Sequence, residues 1–280
     1  MKNPLLKSRR FENVGAYIIL VFYSLIALFP IFLIFINSFK EKKSIFKNPF
    51  MVPTSSTFSL IGYEKLLERA HFDQYFANSI IVTVVSMFLI LFFGSMFAFA
   101  LSEYKFKGSK WLALFMSLGI MIPIRLGTVS ILRLMVSLDL INTLTALVLV
   151  YTAQGLPITI FVLTTFMEQV PSELKEAARL DGASEYRIYS LVLPLVRPAL
   201  ATVAVFTMMP IWNDLWFPMI LAPGESTKTV TYGAQQFIGQ FIIDWNAVLS
   251  SLTLAMLPVI ILYLLFSRSL IKGITAGAIK

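Results

Sequence analysis

The 280-residue chain is 58% hydrophobic and 14% charged, with a net charge of +8 and no cysteine, and its mean hydropathy is +0.80. Soluble globular domains sit near about 45–50% apolar and about 25% charged, so the composition excludes an ordinary soluble enzyme and points to an all-α membrane protein. The missing cysteine excludes a disulfide framework, a zinc–thiolate site and a thiol nucleophile, and the positive charge lies in short loops between apolar blocks, where it acts as a topology signal and not as a nucleic-acid surface.

Residues 1–13 read as a basic tail, with Lys2, Lys7, Arg9 and Arg10, ahead of a first apolar block at 14–36. A hydrocarbon core of about 30 Å needs about 20 helical residues, so this block is long enough to span, and it is too long for the core of a signal peptide. The 37–76 segment is expected to be an external loop with local structure of its own. Pro49 and Pro53 break it, FSLIGYEKLLERA at 58–70 has helical spacing, and His71, the single histidine, follows as a surface residue. One histidine with no carboxylate or cysteine cluster makes neither a metal site nor a catalytic triad.

Residues 77–266 hold five further apolar blocks, at 77–101, 111–132, 144–166, 198–221 and 247–266, and a tail follows at 267–280. With the first block these make six transmembrane helices. Lys and Arg of the two tails, the 102–110 loop and the 167–197 loop outnumber those of the 37–76 loop and of the two later loops, which carry Arg133 and Lys228. That bias places the N- and C-termini in the cytoplasm, with KEKKSIFK at 40–47 as the counter-signal.

Arg125, in MIPIRLGTVS, lies inside the third block. A charged side chain at mid-bilayer costs roughly 2.5–3.5 kcal/mol on insertion scales, so it marks a site or a pair. Arg125 reads as a ligand for an anionic or hydroxyl-rich substrate, or as the partner of Asp214, the second being the usual fate of such a residue.

The 167–197 loop interrupts the apolar pattern with PSELKEAARLDGASEYRIYSLVLP at 171–194. Pro171 and Ser172 start a short helix, Glu173 and Glu176 suit its first turns, and Gly182 fits a left-handed cap. Ser184 begins a second helix, and Pro194 and Pro198 mark the entry to the fifth block. The first helix is below the about 12–15 residues of marginal independent stability, so it must pack on something. Leu174, Ala177, Ala178 and Asp181 share one face, flat enough for another surface to approach, with Lys175, Glu176 and Arg179 around the rim.

The fifth block contains PIWNDLWFP at 210–218. Pro210 is expected to kink the helix where freed backbone groups line a cavity. Trp212, Asn213, Asp214 and Trp216 make a candidate substrate path, with aromatic faces for a sugar ring and polar groups for its hydroxyls. The alternative is an interfacial aromatic belt. The 222–246 loop carries Gly224, Gly233 and Gly239 and is expected to lie outside.

The order Glu176-Ala177-Ala178, then Gly182, then Leu191-x-Leu193-Pro194 resembles the EAA loop of the membrane subunits of bacterial ABC importers. Asp181 before the glycine, WNDLWFPMILAP at 212–223 and the closing GITAGAIK resemble the carbohydrate branch, the permeases of the MalG type. The resemblance implies a type I ABC importer permease fold in a bacterial inner membrane. It makes the 171–182 helix a cytoplasmic coupling helix seated on an ATPase through Leu174, Glu176, Ala177, Ala178, Asp181, Gly182, Leu193 and Pro194. It also implies a sister permease, two ATPase subunits, an external solute-binding protein and a sugar substrate, with ATP and magnesium used by the partner ATPase.

The chain has no G-x-x-x-x-G-K-[ST], and KGSK at 107–110 lacks the spacing, so it is expected to hydrolyse no ATP and to bind no cofactor or metal of its own. Energy then enters through the 167–197 loop, and the second short helix is expected to run through a bend at Pro194 and tilt the fifth span. Because the EAA loop reports coupling and not cargo, an importer for another polar solute stays open. An ion-driven carrier needs paired broken helices and intramembrane acids, and only one broken span is visible.

Overall fold

The structure, a computed structural model, describes residues 4–69, 71–238 and 243–278. The described backbone is helical apart from loops and two isolated antiparallel bridges, Lys40 with Phe58 and Ile238 with Ile243. It divides into two compact units, Met1–His71 with Ala234–Leu254, and Phe72–Gly233 with Ala255–Lys280.

In the first unit, helix α1 (Pro4–Ser38) contains the first apolar block, and none of its most apolar window is buried. An apolar helix uncovered by its own chain is at home in lipid or against another subunit. Two short helices follow, α2 (Lys42–Lys47) and α3 (Ile61–Arg69), the latter within the stretch that showed helical spacing. Lys40 fastens this region although it is almost fully buried. Its Nζ donates to Asn37 Oδ1 at 3.0 Å and to the Asn48 carbonyl at 2.9 Å, while its own carbonyl accepts from Asn246 Nδ2 at 2.7 Å. Burial holds the Lys40 ammonium below its ordinary pKa. Lys65 pairs with Asp244 at 2.5 Å, and the Phe39 ring packs on Phe58 and Tyr63. His71 is exposed.

The second unit opens with α4 (Phe72–Glu103). The block expected as one continuous third span is instead two helices, α5 (Ser109–Met121) and α6 (Thr128–Ser137). They are joined through a 3-10 turn at Ile124–Gly127 and bent by 89°. Pro123 is the reason. It forces Ile122 into an extended conformation (φ −90°, ψ 114°) and cannot donate to the preceding turn.

Helix α7 (Leu144–Met167) starts at Thr143, whose hydroxyl accepts from the Ala146 N–H, and packs along α4. Small residues allow the approach: a Cβ on Gly94 would strike the Thr159 methyl, and one on Gly155 would strike Ile90. A core of Val82, Ile90, Leu147, Tyr151, Phe217 and Leu221 fills one end of this pair. A second core, with Phe99, Leu163, Met167, Ile188, Val192 and Val203, fills the other.

The polar interruption folds as α8 (Ser172–Leu180) and α9 (Glu185–Leu195), with Gly182 at φ 76° between them. Helix α10 (Arg197–Asn213) meets α9 at 76°. The bend expected at Pro194 lies at Val196, because Pro194 sits inside the last turn of α9 and Pro198 opens α10. Pro210, expected to kink the helix, lies inside α10 and does not end it. Helix α10 runs through Pro210 to Asn213, and the chain opens at Asp214, extended at ψ 134°, before α11 (Trp216–Leu221). A 3-10 turn at Glu225–Thr227, α12 (Val230–Gln235) and α13 (Trp245–Ala278) complete the described chain. Gly239 and the last two residues of GITAGAIK lie outside the described residues.

Three described helices are long and apolar enough to cross a membrane, five if each bent pair counts as one crossing, and the Trp245–Ile261 part of α13 is a further apolar helix. Among the described residues there are therefore six apolar segments, two of them bent pairs.

Candidate functional site

Two places in the second unit concentrate polar chemistry. The first is the α8–α9 loop. Helix α8 turns one face inward: Lys175 is buried, and Ala178 packs against the core formed around Phe99 and Ile188. Glu103, the last residue of α4, receives both basic side chains of that face, Lys175 Nζ on Oε2 at 2.5 Å and Arg179 Nη2 on Oε1 at 2.8 Å. Arg179 Nε also donates to Glu185 Oε1 at 2.9 Å, and the Tyr104 hydroxyl donates to Glu185 Oε2 at 2.6 Å. Burial and then the Glu185 carboxylate push the Tyr104 phenol up to about 12, so it remains a donor.

The basic residues expected at the rim of α8 thus turn back onto the chain. The opposite face stays bare: Leu174, Glu176, Ala177, Asp181 and Gly182 are exposed, and Leu180 is 89% exposed. Leu193 is half-buried in α9, and Pro194 is exposed beside it.

The second place is a cleft of about 400 Å³ lined by Arg125, Gln154, Asn213, Asp214 and Trp216, among others. Asp214 organises it. The carboxylate is buried and accepts from the Tyr151 hydroxyl at 2.9 Å, the Phe217 N–H at 3.0 Å, the Trp216 N–H at 3.3 Å and Arg125 Nη2 at 3.3 Å. The two N–H groups are those that the start of α11 leaves without helical partners, so Asp214 caps the helix it interrupts.

Arg125 and Asp214 are together, joining the breaks of the third and fifth blocks. The Arg125 side chain is nevertheless 65% exposed, and its guanidinium lies 5.9 Å from the centre of the Trp216 ring. Trp216 Nε1 donates to Thr128 Oγ1 at 3.0 Å. Asn213 is exposed and donates to the Met209 carbonyl at 3.0 Å. Trp212 is not brought to the cleft: it is buried, its Nε1 donating to the Ala255 carbonyl at 3.0 Å and its ring edge-on to Phe76. Its size and burial make it a core residue. Among the described residues no group of His, Asp and Glu is placed to hold a metal.

The profile of the family described as "Binding-protein-dependent transport system inner membrane component" matches residues 90–276, a stretch that includes α8, α9 and the cleft. The chain belongs to that family. Over 94% of its length it is 36% identical to the putative ABC transporter permease protein ORF2 of Caldicellulosiruptor sp. (strain Rt8B.4), covering 96% of that protein. Over 92% of its length it is 33% identical to the probable starch degradation products transport system permease protein AmyC of Thermoanaerobacterium thermosulfurigenes, covering 93% of it. Its fold is similar to that of a solved chain from a bacterial ABC transporter involved in the import of the acidic polysaccharide alginate. The TM-score is 0.80 at 22% identity, covering 93% of this chain and 97% of that one.

Sequence reasoning about this permease passed over Glu103, Tyr151 and Gln154. Gln154 is an exposed amide midway along α7, in VLVYTAQGLPI, and a lone amide in an apolar block was the signal for it. Glu103 and Tyr151 carry no such mark, because their roles rest on partners 72 and 63 positions away.

Proposed function

We propose that this chain is the membrane-spanning permease subunit of an ATP-driven importer of oligosaccharides, working with a sister permease, two ATPase subunits and an external solute-binding protein. The observation that carries this reading is α8, a nine-residue helix fastened to its own chain on one face and bare on the other. A bare apolar strip of Leu174, Ala177 and Leu180 beside Glu176 and Asp181 suits a protein surface that closes over it. In this reading both tails and the 167–197 loop lie in the cytoplasm, and the 37–76 and 222–246 loops lie outside. ATP and magnesium are bound by the partner ATPases, and this chain hydrolyses nothing.

The cleft supports the cargo class. Trp216 offers an aromatic face, Arg125, Gln154 and Asn213 offer polar atoms, and the volume falls in the range of small-molecule sites. The names of the relatives, one for starch degradation products and one for alginate, agree with a sugar. The mechanism follows from these parts. ATP draws the two ATPases together, each carries a coupling helix, and the displacement switches the cleft between the two sides of the membrane.

A tagged copy extracted in detergent tests this. An ATPase and a second permease are expected to copurify, and the assembly's ATP hydrolysis should rise with loaded solute-binding protein. A chain that moves labelled oligosaccharide alone, driven by an ion gradient, would sink the reading.

A further inference from the structure

In a coupling mechanism the movement of α8 must reach the spans by some material route, and the peptide that follows it is a poor one. Helices α9 and α10 meet at 76°, so a push along α9 does not act along α10. The side-chain route is better built. Glu103 closes α4 and holds two basic residues of α8 with separate oxygens, at 2.5 and 2.8 Å. The Glu103 and Lys175 side chains are each only 9% exposed, so water screens that pair little. Arg179 carries the link on to Glu185 at the start of α9, and Ser95, farther along α4, meets the Tyr189 hydroxyl at 2.7 Å. Helix α4 in turn lies along α7, which carries Gln154 into the cleft.

We propose that Glu103 is the positioning residue through which displacement of α8 is passed to α4 and α7, and so to the cleft. The proposal rests on the importer reading and names the connection that reading needs. Lys175 and Arg179 sit on the inner face of α8, so loss of Glu103 leaves the bare outer face able to meet an ATPase. The expected defect is uncoupling, with docking intact.

The chain has no cysteine, so Met219→Cys, on the cleft wall, gives it a single thiol. The rate at which a charged maleimide modifies that thiol is measured with and without ATP in the assembly with the sister permease and ATPases. In the otherwise native chain ATP is expected to change the rate by about tenfold, a typical coupling factor. Glu103→Gln should abolish that response while the ATPases still copurify, and Glu103→Asp, which keeps both acceptor oxygens for Lys175 and Arg179, should retain it.

A native response retained in Glu103→Gln overturns the proposal and leaves the importer reading standing. A response lost in both variants with the ATPases still bound makes Glu103 a structural prop and also overturns it. A native assembly that copurifies no ATPase, or that ignores ATP, overturns the importer reading and this proposal with it.

Discussion

Asp214 and Arg125 form one ion pair with unequal parts. The carboxylate is buried and satisfies two backbone N–H groups and a phenol, whereas the guanidinium is largely in the open. Asp214→Asn replaces an acceptor oxygen with a donor and strands a buried N–H or the Tyr151 hydroxyl, a cost of about 1–3 kcal/mol. Arg125→Ala removes a partner that solvent already screens, a cost of about 0–1 kcal/mol. Thermal unfolding in detergent should therefore show a clear loss for the first variant and little for the second. The opposite order would mean that the guanidinium, and not the capped α11, holds the two breaks together. That the two residues meet was legible in the sequence, because each is a charge inside an apolar block. That Trp212 faces the core while Trp216 faces the cleft was not. Both stand in one WNDLW motif, and the opening of the helix at Asp214 between them sets their directions.

At the scale of elements, helix contacts decide what the sequence tolerates. Gly94 lets α4 meet α7 at Thr159, a short branched side chain that cannot swing aside. Gly94→Val should destabilise by about 1–3 kcal/mol through overpacking. Gly15→Val in α1, where a Cβ meets nothing, should change stability by no more than about 0.5 kcal/mol. Equal losses in melting temperature would refute this account of the α4–α7 contact.

The loop around Lys65 and Asp244 makes a test by pH. Burial would raise the Asp244 carboxyl, but the Lys65 ammonium and the Ala247 N–H outweigh it and hold the pKa below its ordinary value. Because the folded pKa is the lower one, its contribution is complete above the unfolded value of about 4 and is lost as pH falls through the folded value. The stability gap between the native chain and Lys65→Met should stay constant from about pH 7 to 5 and shrink below about 4. A gap unchanged into acid would remove Asp244 from the explanation. The helices themselves were legible from apolar length, and their interruptions were legible in part. Pro123 marked a break that an apolar count passed over, whereas Pro210 suggested a break that falls four residues onward, at Asp214.

For the whole molecule, the division of α8 into an anchored face and a bare face separates folding from coupling. Glu176 is exposed and takes no part in the Glu103 cluster. Glu176→Lys should leave membrane insertion and protein level unchanged while abolishing uptake of a labelled oligosaccharide by cells. Gly182→Pro should also abolish uptake while the chain still inserts, because proline can neither take φ 76° nor supply the N–H that Gly182 donates to the Arg179 carbonyl. Normal solute-stimulated ATPase activity in either variant would count against α8 as the port for energy.

The sequence alone determined that the chain lives in a membrane, how many apolar segments it has, and where its one ordered polar interruption falls. Those properties are local: apolar length, helical spacing and motif order are written in consecutive residues. Tertiary structure alone decided which charges anchor α8 and which tryptophan is core. Each of these depends on partners brought together from distant positions, and a buried charge or ring is defined by what surrounds it, which no window along the chain contains.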